Sequence, residues 1–391
     1  MKKKILMVRS NPYDFNPNSY NVQEVGLGKA FCHLGYDYDY ITFKKHDQKE
    51  WIFYEENGHI ARWIEKPRLR VLRMGINRDI WSKEFLSNYD IVICREYYQF
   101  ETYMITQRHN NVAIYNGPYW NMFMLKPFSA IYDFLFTKKI NEAVKCIFTK
   151  SDLSSTFLEK KGYTKLKTIG VALDTSRFQN CHISEETMKI VDYMKSNRCI
   201  LYVGTIDENK NYSFLLKVYA SLVQDYPDLK MVVIGKSKQS GIKKLFKKDD
   251  SYERECYKEI PEELRKSIFR VEKIENSQMK YIYPLAKAFL LPSKKEIFGM
   301  VLLEAMYLGA PVITSENGGS VTLIHNNDTG IVIKEFDVQQ WKEAVSRYLQ
   351  DDEFRNKTIL RAHNLIEDKY NWEYLANQIV ETIDKDNEVR K

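Results

Sequence analysis

Glycine and proline are scarce in this chain, at 16 and 10 of 391 residues, where roughly 7% and 5% are usual. That excludes collagen-like, low-complexity and disordered chains, and it makes the position of each glycine informative. Long apolar runs are missing too. No stretch approaches the roughly 20 residues of a membrane-spanning helix. After Met1-Lys2-Lys3-Lys4 only Ile5-Leu6-Met7-Val8 precede Arg9, a run too short for a signal peptide. The six cysteines (Cys32, Cys94, Cys146, Cys181, Cys199, Cys256) are far apart, with no Cys-x-x-Cys pair and no Cys/His group at metal-ligand spacing. Cys32, Cys94, Cys146 and Cys199 stand among apolar neighbours and read as small core residues. A reducing cytoplasm fits this usage, and no metal site is expected.

What is present is ordinary in bulk and uneven in detail. Apolar residues make up 44% of the chain and charged residues 28%, which suits a globular protein. At about 150 residues per domain, the length suggests two or three domains. The net charge of +7 is not spread evenly. Residues 1–170 carry 26 Lys and Arg against 18 Asp and Glu, and residues 171–391 carry 33 against 34. A basic first half suggests an anionic partner: nucleic acid, a phospholipid surface or a phosphorylated substrate. The lysines are scattered and follow no nucleic-acid-binding pattern, so nucleic acid is not expected.

Short apolar runs alternate with helical spacing along the whole chain. In the first half Ile5–Val8, Tyr38–Phe43, Val71–Met74, Ile91–Cys94, Val112–Tyr115 and Ile147–Thr149 read as strands. Val22, Val25, Ala30, Phe31 and Leu34 mark a helix ending at Gly35, and Trp51–Tyr54 with His59–Trp63 flank Glu56-Asn57-Gly58 as a hairpin. In the second half Ile200–Val203, Met231–Ile234, Phe269–Val271, Ala288–Leu291, Val312–Thr314 and Ile331–Ile333 read as strands. Helices are expected at Tyr212–Tyr226, Met300–Leu308, Val338–Leu349 and from Trp372 to about Asp384. This is the pattern of two α/β units with parallel sheets. The expected division is a first Rossmann-like domain over 1–171, a polar linker over 172–198, a second Rossmann-like domain over 199–370, and a C-terminal helix over 371–391 packing back on the first domain. In such a pair, ligands are expected beyond the carboxyl ends of the strands, in the cleft between the domains.

The segment richest in chemistry is Glu296-Ile297-Phe298-Gly299-Met300-Val301-Leu302-Leu303-Glu304. It follows a strand that closes on Pro292-Ser293. It leads through a helix into Gly309-Ala310-Pro311-Val312-Ile313. Gly299 allows close backbone approach at the helix start. The N–H groups of Gly299, Met300 and Val301 would face an anion with the helix dipole behind them. Glu304, one turn further in, can accept two hydroxyl hydrogens from a ribose, and Glu296 lies on the loop that would flank a sugar.

This segment resembles the family 4 retaining glycosyltransferases of the GT-B fold, two Rossmann-like α/β domains facing across a cleft. Their second domain carries E-x-F-G-x-x-x-x-E, a Gly-Ala-Pro-Val-Ile exit and a following Gly-Gly, here Gly318-Gly319. Further matches are Gly170–Asp174, Val203-Gly204-Thr205 through Lys210-Asn211, Asp328–Val332 and Tyr370–Glu373. The likeness is close over about 145–384 and loose before that. The resemblance implies a donor site formed by Gly204, Thr205, Lys210, Phe298, Gly299, Met300, Val301 and Glu304. In it Glu304 holds the ribose, Lys210 neutralises the diphosphate, and Glu296 with Lys210 carries the chemistry. It implies a nucleotide-sugar donor, a UDP-sugar ahead of a GDP-sugar, and no other cofactor.

The chain also departs from the family. Thr205 stands where an arginine is usual, which leaves Lys294 and Lys295 as substitute cations. Thr322 replaces a frequent acidic residue. The first loop, Asn11 to Tyr20, lacks the usual glycine pair. The family's histidine at a middle strand end is absent, its place taken by Tyr115-Asn116-Gly117-Pro118-Tyr119. Tyr20, Asn116 and Tyr119 are the acceptor-side candidates. Of the histidines, His33 and His363 read as structural and His325 as a surface-loop residue. Tyr119–Phe128, continued by Ile131, Phe134, Leu135, Phe136 and Lys138-Lys139, suits either a membrane interface and a lipid-linked acceptor, or a core helix.

The expected function is transfer of a hexose or N-acetylhexosamine from a nucleotide diphosphate to a hydroxyl on an anionic, lipid-linked saccharide. The expected setting is envelope or capsular polysaccharide synthesis at the inner face of a bacterial membrane. The rivals are an inactive GT-B-like partner of an active transferase, and a sugar-nucleotide epimerase.

Overall fold

The computed structural model describes residues 2–389 except 11–15, 17–18, 21, 45–48, 68, 72–73, 124–125, 180–181 and 238–251. The chain divides into two units, Met1–Asp174 with Lys369–Lys391, and Thr175–Asp368.

The first unit contains β1 (Lys3–Val8), β2 (Tyr36–Lys44), β3 (Lys49–Glu56), β4 (His59–Pro67), β5 (Leu69–Val71), β6 (Met74–Ile76), β7 (Ile91–Arg95), β8 (Val112–Asn116), β9 (Cys146–Thr149) and β10 (Leu166–Thr168). Eight of these form one sheet in the order β10-β9-β8-β7-β1-β2-β4-β3, and β5 pairs with β6 separately. Neighbours in the large sheet are parallel except β3 and β4. The continuous apolar runs explain this. Ile5–Val8, Ile91–Cys94 and Val112–Tyr115 are buried throughout, as strands covered on both faces must be. The β3–β4 hairpin turns on Asn57 and Gly58, both in the left-handed region, which suits a two-residue turn between right-twisted strands.

Helix Gln23–His33 returns the chain from β1 to β2. The C-terminal helix, Trp372–Val389, lies in this unit. A side chain at Gly26 would collide with the Trp372 indole. Lys167 Nζ donates to Thr382 Oγ1 at 2.8 Å, and Lys145 pairs with Asp386 at 2.9 Å. Helix Lys126–Ala143 buries Tyr132 and Ile140 in the unit's core. Its other side exposes Phe128, Ile131, Phe134 and Leu135. The helix therefore has a core face and, in addition, an apolar stripe that the core does not use.

The second unit contains β11 (Arg198–Val203), β12 (Leu229–Ile234), β13 (Ile268–Val271), β14 (Ala288–Leu291), β15 (Val312–Ser315) and β16 (Ile331–Ile333). They form one sheet in the order β13-β12-β11-β14-β15-β16, parallel throughout. Its core gathers Tyr202, Tyr212, Leu216, Tyr219, Trp341 and Tyr348 from the sheet and from helices Tyr212–Asp225 and Val338–Gln350. The polar stretch 172–198 is not bare linker. Glu185–Ser196 form a helix capped by the Ser184 side chain, with Ile190, Val191 and Met194 buried. Its many charges hide that face from a simple reading of composition.

Both sheets are doubly wound. In the first unit the chain leaves β1 through β2 and β4 on one side and returns through β7 to β10 on the other. In the second it leaves β11 through β12 and β13 and returns through β14 to β16. The topological switch points therefore lie between β1 and β7, and between β11 and β14. In open parallel sheets, the crevice at the carboxyl end of such a point is where ligands bind.

Candidate functional site

The second switch point is built from the loop after β11 and the loop after β14. The first holds Gly204, Thr205 and Lys210. Gly204 N donates to Ile234 O at 2.9 Å, and Tyr202 Oη donates to Thr205 O at 2.8 Å. Lys210 N donates to Asp207 Oδ1 at 2.8 Å, and Asn211, in the left-handed conformation, starts helix Tyr212–Asp225. The second loop runs from Pro292 to Gly299. The two are tied together: Lys294 N donates to Asn209 O at 2.7 Å, and Asn209 Nδ2 to Lys295 O at 2.8 Å. Across this tie the Lys210 ammonium pairs with the Glu296 carboxylate, both side chains largely buried. Residues 86 positions apart are thereby held at one place.

Gly299 begins helix Met300–Tyr307 from the left-handed region, with φ of 77°, a conformation that strains a residue with a Cβ. The first N–H groups of a helix have no acceptor within it, so this end of the helix is electropositive. Phe298 is buried, and Met300 and Val301 are half-buried. Gly318 and Gly319 open the next helix, Gly318–Leu323, behind an Asn317 cap. A side chain at Gly318 would strike the Ile297 carbonyl, and one at Gly319 the Phe298 carbonyl. Gly318 N also donates to Glu296 O at 3.1 Å. The glycine pair exists so that this helix can press against the Glu296–Phe298 backbone and fix the loop from behind.

Glu304 lies one turn into helix Met300–Tyr307 and is 2% exposed. Its Oε2 accepts from Tyr283 Oη at a long 3.4 Å, and its Oε1 has no partner among the described residues. Burial pushes its carboxyl up to about 8. A buried carboxylate with an orphan oxygen is costly. Thr205 is exposed, as are Lys294 and Lys295 on the neighbouring loop.

The first unit holds the acceptor-side candidates. Tyr20 is 39% exposed. Tyr119 is half-buried, edge-on to Trp120 at 4.8 Å. Asn116 is fully buried, and its amide is engaged inside the unit. Oδ1 accepts from Tyr97 N at 3.3 Å, while Nδ2 donates to Ser154 Oγ at 2.9 Å and Pro118 O at 3.1 Å. Sequence reasoning missed the charged groups beside it: Glu24, Arg95 and Lys150 are all buried. The available signal was a carboxylate on the apolar face of the first helix and a cation closing each of two apolar strands.

Residues 184–365 match the family model of glycosyl transferases, group 1. Among proteins similar to the chain, the D-inositol 3-phosphate glycosyltransferase of Corynebacterium urealyticum is 27% identical over 202 residues, 51% of this chain and 45% of that one. The capsular polysaccharide biosynthesis glycosyltransferase CapM of Staphylococcus aureus is 22% identical over 212 residues, 53% of this chain and 52% of that one. The chain thus spans about half the length of the curated relatives it matches. A structure of Anabaena Alr3699/HepE in complex with UDP superposes with a TM-score of 0.69 at 14% identity, covering 98% of this chain and 100% of that one. The two α/β units of this chain have the GT-B fold.

Proposed function

We propose that the chain is a retaining glycosyltransferase that uses a nucleotide-diphosphate sugar. The observation that carries this reading is the second switch point itself, where buried Glu304, the Lys210–Glu296 pair and the N-terminus of helix Met300–Tyr307 converge. The neighbour bound to UDP supports a uridine nucleotide as the first donor to test.

In this reading Glu304 accepts the two ribose hydroxyls, Lys210 and the helix-terminal amides hold the diphosphate, and Glu296 orients Lys210 and the sugar. The acceptor oxygen forms a bond to the anomeric carbon as the bond from that carbon to the β-phosphate oxygen breaks. Attack comes on the face the phosphate leaves, so configuration is retained. The acceptor proton passes to the leaving phosphate oxygen, giving a nucleoside diphosphate. Charge develops on that diphosphate in the transition state, where Lys210 and the amides act most strongly.

The acceptor side belongs to the basic first unit, with Tyr20 and Tyr119 as candidate contacts. Among the described residues no helix is long and apolar enough to cross a membrane. Helix Lys126–Ala143 instead offers a way to lie on one. Phe128, Ile131, Phe134 and Leu135 form an exposed stripe, with Phe134 87% exposed, beside exposed Lys138 and Lys139. Apolar groups flanked by lysines suit an anionic leaflet and a lipid-linked saccharide acceptor. The relative named for capsular polysaccharide supports an envelope polysaccharide as the product class. The reading is tested by incubating UDP- and GDP-sugars with the protein and following nucleoside diphosphate release, with Glu304→Ala and Lys210→Ala as controls. Turnover lost in both folded variants is the expected result, and wild-type turnover in both would remove the site assignment.

A further inference from the structure

The first unit has its own switch point, between β1 and β7, and it too is charged. Arg9 follows β1, Arg95 ends β7, Glu96 follows it, and Lys150 follows β9. Glu24 reaches them from the first turn of helix Gln23–His33. Arg9 Nη1 lies 3.4 Å from Glu24 Oε1, and Arg95 Nη1 pairs with the same oxygen. Arg95 Cζ and Lys150 Nζ stand 5.4 Å and 5.0 Å from the centre of the Tyr115 ring.

Three features of this cluster are unexplained by folding alone. Lys150 is 5% exposed, and among the described residues no carboxylate lies within pairing distance of it. Burial and the Arg95 charge pull its ammonium down to about 7. Arg95 is equally buried, and its Nε has no hydrogen-bond partner among the described residues. Glu96 is held at a φ of 67°, a strained conformation for a residue with a Cβ, and its Oε2 accepts from Gly117 N at 3.1 Å. Strain and unpaired buried charge both cost stability, and they persist where a ligand repays them. Among the described residues the carboxylates acting on these cations are Glu24 and Glu96, and Glu24 already holds both arginines. The unpaired charge is Lys150.

We infer that the carboxyl ends of β1, β7 and β9 form an oxyanion subsite in which Lys150, Arg95 and Arg9 bind a phosphate carried by the sugar acceptor. Glu24 fixes the two guanidinium groups, and the N-terminus of helix Gln23–His33 adds its dipole. This assignment rests on the transferase reading, which supplies an acceptor. It goes beyond that reading in naming the acceptor's chemical class and the residues that select it.

The test is titration of inorganic phosphate, and separately of UDP, into the wild type, Lys150→Met, Arg9→Gln and Lys210→Ala. Methionine keeps the length of Lys150 without its charge, so Lys150→Met is expected to fold with a melting temperature at or above the wild type. Arg9→Gln, at a partly exposed position, gives a second route. Phosphate binding should weaken about 10- to 100-fold in Lys150→Met, the size of one lost charged hydrogen bond. It should weaken in Arg9→Gln as well, stay unchanged in Lys210→Ala, and leave UDP binding to Lys150→Met intact. Phosphate binding that is absent from the wild type, equal in Lys150→Met, or lost only in Lys210→Ala would overturn the subsite. UDP binding weakened in Lys150→Met as much as phosphate would assign the cations to the donor and overturn the acceptor role. If the wild type binds phosphate in the expected pattern but no nucleoside diphosphate, the donor reading fails and the oxyanion subsite stands.

Discussion

The two switch points solve opposite electrostatic problems. In the second unit Glu304 is a buried carboxyl that pairs with no cation among the described residues; burial keeps it near neutral, and Lys210 pairs with Glu296. At the first unit's switch point the cation without a carboxylate in pairing distance, among the described residues, is Lys150, pulled down by burial and by Arg95. There the carboxylate, Glu24, is held below its usual range, because the Arg95 and Arg9 charges outweigh its burial. In the proposed reading, one sheet winding serves two ends, hydroxyl donors in the second unit and an oxyanion in the first, and a handful of charged residues makes the difference.

The largest effect is expected from Lys210→Ala, which removes the cation proposed to neutralise the leaving diphosphate. It should lower kcat by about 10²–10³-fold, the usual loss for one donor to developing negative charge. Lys150→Met, read in the same assay with a phosphorylated acceptor, should raise KM far more than it lowers kcat. Equal effects on kcat in both variants would erase the distinction between the two switch points.

The next effect is a proton. Glu304 in the free protein has its carboxyl raised to about 8, so at pH 7 it holds a proton. Ribose hydroxyls that donate to it favour the ionised form. Nucleotide binding at pH 7 should therefore release close to one proton, and the release should vanish near pH 9 and in Glu304→Gln. Calorimetry in buffers of different ionisation heat reads this directly. Phosphate binding in the first unit should run the other way, taking a proton up onto Lys150.

Stability should carry the same opposition. Because Glu304 is raised from 4.5 to about 8 in the folded state, the folded chain binds the extra proton between those values, and stability falls as pH rises through that window. Lys150 is lowered from 10.5 to about 7 among Arg95, Glu96, Glu24 and Arg9. The unfolded chain then binds the extra proton, and stability rises from about pH 7 towards 10.5. Thermal melts of Glu304→Gln and Lys150→Met against the wild type should each remove one of these slopes. The smallest effect on folding belongs to helix Lys126–Ala143. Phe134→Ser with Leu135→Ser should move stability by about 0.5 kcal/mol per site or less, while abolishing binding to vesicles rich in anionic lipid.

Much of the fold is legible in the sequence because buried parallel strands must be continuous apolar runs. Ile5–Val8, Ile91–Cys94 and Ala288–Leu291 announce themselves. Helices Asp152–Glu159 and Asp352–Lys369 do not. The second of these buries only Thr358, Ala362 and Ile366, too thin a stripe to read by periodicity. Within the proposed donor site, Glu296, Gly299 and Glu304 stand out through spacing. The Lys210–Glu296 pair is not, since it depends on two loops meeting across a switch point. The reason for Gly318-Gly319 is likewise tertiary, a carbonyl where a Cβ would stand. Lys150 escapes for the plainest cause: a lysine after a strand looks like a surface residue until its burial is known.

The central claim is that the second switch point is a nucleotide site organised by Glu304. Its most direct test is a calorimetric titration of UDP into the wild type and Glu304→Ala at pH 7, with GDP as the second nucleotide. The wild type should bind one nucleoside diphosphate per chain, and Glu304→Ala, with its fold confirmed by circular dichroism, should bind it about 100-fold more weakly, the loss of charged hydrogen bonds to the ribose. Equal affinity in the two proteins, or no binding of either nucleotide by the wild type, would contradict the account.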